Sequence, residues 1–330
     1  MRGSTARLAA ESTTMHPAYS VIVFTVASGA GYGLAVWVGV LLLVGEIELG
    51  SRFAAVALSI ATVLIAGGLA SSMAHLGRPE RAWRALSQWR SSWLSREGVA
   101  AAASFGPIML LLFGAALGGL PPWLERLGAG ALLALSVATV TSTAMIYATL
   151  KPVPAWRDPL VVPVYLIMAA AAGAVLYCAI AALAGRPLGA LATVSILLLF
   201  AVWVLKAVYW FEIDIAKPIA TTGTATGLGR FGEVRQIEPP HIEENFLLRE
   251  MGFRVARSHS EKLRGLAILL FAVVPSMAIA AVAWIGPGGL AALLGLVAGG
   301  VSLAGALIER WLFFAEARHV VTTFYDQTSV

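Results

Sequence analysis

Long apolar runs alternating with short polar breaks dominate the chain. Eight such runs predict helices at 20–44, 53–74, 98–119, 127–150, 160–183, 187–211, 265–285 and 288–314. Each is close to the roughly 20 residues that a helix rising 1.5 Å per residue needs to cross about 30 Å of hydrocarbon. The pattern predicts an all-α integral membrane protein of eight transmembrane helices. It would form a single polytopic membrane domain over residues 1–330, with both termini on the same side. The first run is too long for a signal-peptide core and lacks a small-residue cleavage site, so it reads as a retained span.

Composition agrees. Hydrophobic residues make up 59% of the chain and charged residues 12%, at a mean hydropathy of +0.82. A soluble domain carries roughly 25% charge. Runs of small residues, such as Ala169–Ala174 and Gly29–Gly33, allow helices to pack closely in lipid. The single cysteine, Cys178, lies inside the fifth run. One thiol cannot hold an iron–sulfur cluster, form an internal disulfide or attach a c-type haem, and it reads as a small buried hydrophobe.

Charge gives an expected orientation. With eight spans, the tails and the loops at 75–97, 151–159 and 212–264 share one side. Of 23 lysines and arginines only Arg52, Arg126 and Arg186 fall on the other side, leaving 20 against 3. Leaving out the long 212–264 loop and Lys206 still gives 11 against 3. The positive-inside rule therefore predicts cytoplasmic termini in a multi-pass protein of the bacterial inner membrane. The sparse side has only short connections rich in Gly and Pro.

Polar chemistry concentrates in two places. One is His75-Leu76-Gly77-Arg78-Pro79-Glu80-Arg81-Ala82-Trp83-Arg84, followed by Ser92-Trp93-Leu94-Ser95-Arg96-Glu97-Gly98. Residues 79–89 suit a short interfacial helix. Its tryptophans would sit at headgroup level and its arginines would meet lipid phosphates. His75 ends the second span and Glu97 opens the third, so both lie at the membrane boundary on one side. Such a pair suits hydrogen bonding to a quinone carbonyl and proton exchange with water. The other place is the 212–264 loop. Its Thr/Gly stretch 221–229 lacks the Gly-Lys-Ser/Thr ending of a phosphate-cradling loop. Residues 242–255 have the spacing of an amphipathic surface helix.

The order of an apolar span, His-Leu-Gly-x-Pro-x-Arg-Ala, then a span opening on Ser-x-Glu, resembles the DmsC family. These are membrane anchor subunits of complex iron–sulfur molybdoenzymes. Lys151-Pro-Val-Pro-Ala-Trp156 and Gly305-Ala-Leu-Ile-Glu-Arg-Trp-Leu-Phe-Phe314 extend the likeness. Glu250-Met-Gly-Phe-Arg-Val-Ala-Arg257 is similar to the sulfite-oxidising branch. The resemblance implies that the protein docks a four-cluster iron–sulfur subunit, which binds a molybdopterin catalytic subunit. It also implies electron transfer between the terminal cluster and a quinone, ubiquinone or menaquinone, held in the anchor. Molybdopterin guanine dinucleotide and [4Fe-4S] clusters would belong to those partners only, and this chain would hold no metal.

By the same resemblance His75 and Glu97 act in quinone binding and proton handling, with Gly77, Arg78 and Arg81 contributing. Arg84, Arg249 and Arg254 are expected at the docking surface, within a docking loop at 212–264. No nucleic-acid partner is expected; membrane lipids are. A cytoplasmic motif loop favours sulfite oxidation feeding quinone, and the alternative is an anchor oxidising quinol for a DMSO-reductase-type enzyme. A transporter fits less well, since no span shows a charge near its centre, Lys206 lying towards the basic-side end. His16, His75 and His319 stand at basic-side ends, which leaves haem b conceivable but outside the expected cofactors.

Overall fold

A computed structural model describes residues 19–74, 79–235, 237 and 259–320. Among them, eight helices are long and apolar enough to cross a membrane. They are α1 (Tyr19–Leu43), α2 (Arg52–Met73), α3 (Trp93–Ala116), α4 (Pro122–Ala148), α5 (Val161–Leu183), α6 (Ala190–Ile215), α7 (Ser260–Ile285) and α8 (Gly289–Ala315). No β-strand occurs among the described residues. Tight helices also cover Pro79–Gln88, Pro154–Arg157 and Leu228–Phe231, and one helical turn covers Thr222–Thr226.

Several helices outrun the apolar stretches. The third begins at Trp93 rather than near 98, because the Ser92 hydroxyl caps it by accepting from the Ser95 amide. The fourth starts on Pro122, a residue suited to a first turn, and the sixth runs to Ile215. Hydropathy marks only the length compatible with hydrocarbon. Backbone hydrogen bonding carries each helix on into the polar interface.

α5 sits at the centre, packed against α1, α4, α6 and α8. It crosses α1 backbone to backbone. A Cβ on Gly33 would lie 1.8 Å from the Ala169 carbonyl oxygen, and one on Gly173 would lie 2.0 Å from the Gly33 carbonyl carbon. Two glycines facing each other let the helices close to this distance. Trp37 donates to the Ala170 carbonyl at 2.8 Å across the same crossing. α7 carries a π turn at Leu269–Val273, just before Pro275, which has no amide hydrogen to continue the ladder. Opposite this turn, a Cβ on Gly305 of α8 would lie 2.4 Å from the Phe271 nitrogen.

Contacts at the helix ends define a long-loop end of the bundle. Ser71 donates to the Ser20 carbonyl at 3.0 Å, joining the end of α2 to the start of α1. Trp156 donates to the Phe313 carbonyl at 2.9 Å, joining the α4–α5 connection to α8. Arg264 ties the start of α7 to Asp214 on α6 and to Glu316 after α8.

Candidate functional site

Polar side chains gather inside the bundle near the long-loop end. Ser92 starts α3 early enough that Glu97 falls in its second turn, buried at 5% exposure. Thr143 on α4 donates to the Glu97 carboxylate. The same hydroxyl lies 3.0 Å from the Thr139 carbonyl of its own helix. With one proton and two acceptors in reach, Thr143 can serve Glu97 in either protonation state. It donates to a carboxylate, or accepts from a carboxylic acid while donating to the carbonyl.

The helix at Pro79–Gln88 is pinned against the start of α3. Ser95 donates to the Ala85 carbonyl, and a Cβ on Gly98 would press on Leu86. Arg96 donates to the Trp89 and Arg90 carbonyls at 3.0 and 2.7 Å, and its guanidinium lies 4.2 Å from the Trp93 ring centroid. Half of the polar motif is therefore fixed against the same end of α3 as the buried carboxyl.

A second cluster lies between α6 and α8. Lys206 and Glu309 form an ion pair of 2.7 Å. Arg310 donates to both oxygens of Glu309, at 2.6 and 2.9 Å. All three side chains are buried, Lys206 at 1% exposure. Two cations share one carboxylate, so the cluster carries a net +1. Aromatic faces take up part of the excess. Lys206 sits 4.1 Å from the Tyr209 centroid, and the Arg310 guanidinium sits 4.2 Å from the Tyr165 centroid. Tyr147, one turn beyond Thr143, stacks on Tyr165 at 6.0 Å and meets Trp156 and Phe313 edge-on. This aromatic block spans the distance between the Glu97–Thr143 pair and the charged cluster.

A cleft of about 40 Å³ opens beside the block, with Thr25, Ser28, Tyr32, Thr143, Tyr165 and Arg310 as its polar lining. Nearer the surface, Asp158, Glu212, Asp214, Arg264 and Glu316 border a larger pocket of about 370 Å³. Burial raises the Glu316 carboxyl, while the Arg264 guanidinium beside it pulls the other way. Chemically, the arrangement offers one carboxyl able to hold and release a proton and, across the aromatic block, a positively charged cluster. Among the described residues no group of three His, Cys, Asp or Glu side chains is placed to hold a metal ion.

Residues 13–315 match the family described as "DMSO reductase anchor subunit (DmsC)". The chain belongs to this family. A protein named as a sulfite dehydrogenase subunit, from Allochromatium vinosum, is 34% identical to it over 337 residues, covering 96% of this chain and 100% of that one. Both findings make this DmsC-family chain a membrane anchor subunit of an oxidoreductase.

Among the described residues, the expected quinone-site residue Glu97 of this DmsC-family anchor is buried in the bundle. Arg81 and Arg84 lie exposed on the Pro79–Gln88 helix, Arg81 at 3.9 Å from Glu80 and Arg84 over the Trp83 ring. His75, Gly77, Arg78, Arg249 and Arg254 lie outside the described residues, as do residues 242–255 and His16. Cys178 is buried, 3.4 Å from the Ser195 hydroxyl.

Lys206, Glu309 and Arg310 leave the span centres free of charge, but all three are buried inside the bundle, where sequence reasoning assigned them no role. Along the chain each stands towards a helix end. Yet Lys206 lies nine residues before Ile215 and Glu309 six before Ala315, so opposite charges recur at comparable depth in two spans. That match was the available signal. Thr143 and Tyr165 had none, since serines, threonines and tyrosines are scattered through most spans.

Proposed function

We propose that this anchor passes electrons from an iron–sulfur subunit into the quinone pool, with sulfite oxidation by a molybdopterin catalytic subunit as their source. The observation that carries the reading is the buried Glu97 carboxyl. It is held by a hydroxyl that suits both protonation states, at the end of the bundle where the polar motif is fixed. A buried ionisable side chain in a membrane span is a functional site by default, because lipid makes an idle one costly.

Quinone, as substrate, takes up two electrons and two protons on reduction to quinol. His75 would hydrogen-bond one of its oxygens and Glu97 would supply a proton. Gly77 and Arg78 would shape the approach to the site, and Arg81 would stand at its rim. The exposed helix Pro79–Gln88, with Arg84, and the 212–264 loop, with Arg249 and Arg254, would face the iron–sulfur subunit. The long-loop end would lie in the cytoplasm, on the strength of the 20-to-3 distribution of basic residues. The name of the 34% identical relative favours sulfite as the upstream donor over quinol-driven reduction of an S-oxide.

The test uses the assembled complex. Glu97→Gln keeps the shape and a hydrogen bond but removes the proton, and His75→Ala removes the hydrogen-bonding ring. Both variants are expected to lose most sulfite-to-quinone turnover while keeping sulfite oxidation by an artificial acceptor. Normal quinone turnover in both, with assembly confirmed, overturns the site assignment.

A further inference from the structure

The cleft between α1, α4, α5 and α8 contains more hydrogen-bonding capacity than the protein uses. The Tyr165 hydroxyl and Arg310 Nη1 both line it, both belong to side chains more than nine-tenths buried, and neither has a hydrogen-bond partner among the described residues. They lie close to each other, guanidinium over ring, without being aligned to bond. Thr25 and Ser28 spend their protons on backbone carbonyls of α1, at 3.0 and 2.6 Å, leaving lone pairs free to accept. An unmet buried donor costs about 1–3 kcal/mol, more when it is charged. The lining thus presents unmet donors on one wall and unmet acceptors on the other.

Size and chemistry together select the ligand. A cleft of about 40 Å³ is too small for a quinone ring. At about 10–15 Å³ of such space per molecule, it accommodates about three or four waters, each of which needs two to four polar partners. An apolar cavity of this volume stays dry, but this one offers donors and acceptors from four helices.

We propose that the cleft is a water-binding site, and that its waters exchange protons with Glu97 through Thr143. Thr143 lines the cleft and also bonds the Glu97 carboxyl, so it joins the two. The water site stands on the cleft alone. The exchange path rests on the quinone reading above. When Glu97 gives its proton to a quinone oxygen, the carboxylate takes one from the Thr143 hydroxyl, which takes one from a cleft water, and a proton from the aqueous long-loop side restores that water. Arg310, held at net +1 with Lys206 and Glu309, orients the water oxygens and does not itself titrate. Among the described residues, the other titratable groups within electrostatic reach of Glu97 are Tyr32 on α1, Tyr147 on α4 and Tyr165 on α5.

Radiolytic hydroxyl-radical labelling of the complete complex reads buried water directly. Tyr165, at 7% exposure, lines the cleft; Tyr209, at 3%, is the control of the same chemistry outside it. Tyr165 is expected to label at least about fivefold faster than Tyr209, because bound water generates the radical in place. Tyr165→Phe is expected to slow labelling at Met168, which lines the same cleft. Equal rates at Tyr165 and Tyr209 overturn the water site.

For the path, Tyr165→Phe is expected to slow quinone reduction and shift its pH profile while leaving artificial-acceptor activity unchanged. An unaltered pH profile with water confirmed overturns the path. A wild-type complex that does not reduce quinone refutes the functional reading and the path with it, while the labelling result still decides the water site.

Discussion

The buried cluster of Lys206, Glu309 and Arg310 makes a strict prediction about rank order. Glu309→Gln leaves two cations in the bundle with no anion between them. Removing one partner of a buried ion pair costs about 3–5 kcal/mol, because the other charge stays behind unpaired. Here two charges stay behind, so the cost belongs at or above the top of that range. Lys206→Met acts in the opposite sense. It takes out the charge in excess and leaves Arg310 and Glu309 as a neutral pair with two hydrogen bonds, at 2.6 and 2.9 Å. The losses are one charged hydrogen bond, about 1.5–3 kcal/mol, and the cation–π contacts with Tyr209 and Trp210, about 0.5–2 kcal/mol. Against these stands the several kcal/mol spent on desolvating the ammonium group, which methionine avoids. The balance is close to zero, within about 1–2 kcal/mol. Heating purified protein in detergent and following the surviving monodisperse peak by size exclusion measures the order. Glu309→Gln is expected to lose its peak many degrees below wild type, and Lys206→Met within a few degrees of it. If Lys206→Met is the more damaging, the net-charge argument is wrong, and Lys206 serves a purpose other than balancing Glu309.

Three further outcomes follow from local geometry. Gly33→Ala is expected to abolish or severely lower the yield of folded protein, since its Cβ would meet the α5 backbone, while Gly67→Ala, where a Cβ meets nothing within 4 Å, leaves yield unchanged or improved. Ser51→Ala removes the cap of α2, whose hydroxyl accepts from the Ala54 amide at 3.2 Å and donates to Glu48 at 2.6 Å, and is expected to cost about 1 kcal/mol, read as a small downward shift in the same thermal assay. A reporter fused after residue 330 or within 221–229 is expected to register as cytoplasmic, and periplasmic activity from both fusions would reverse the proposed orientation.

The spans were legible in the sequence because lipid leaves little choice. A segment crossing hydrocarbon must satisfy its own backbone and cover it with apolar side chains, and both demands appear as runs of about 20 residues. Helix ends were less legible. Trp93–Arg96 and Pro122–Arg126 belong to helices through caps and proline geometry, which hydropathy does not register. Glu97 stood out as an ionisable group at a span boundary, and the structure buries it deeper than a boundary position because α3 begins a turn earlier. Its partner Thr143 could not be found that way, since only the packing of α4 on α3 selects one threonine among several on that helix. The charged cluster was hidden for a related reason. Lys206 and Glu309 are 103 positions apart on helices that are not sequence neighbours, and α6 and α8 must both pack on α5 before the pair exists.

The two buried polar groups divide the electrostatic work between a charge that is fixed and one that is free to change. Glu309 is held by short ion pairs to Lys206 and Arg310, and protonating it would leave two cations unpaired in a medium that penalises them heavily. Glu97 has a hydroxyl as its partner and no ion pair among the described residues, so nothing locks it in one state. On the proposed reading, electrons arriving at the long-loop end place negative charge close to a standing +1, which favours their arrival before any proton moves. Glu97 then supplies the proton, and the Arg310-lined cleft is the proposed route by which that proton is restored. A fixed cation without a labile carboxyl would hold the charge but not neutralise it. A labile carboxyl without the cation would deliver a proton with nothing to favour the electron's arrival, which is why both are found at one end of a bundle that is otherwise almost free of buried charge.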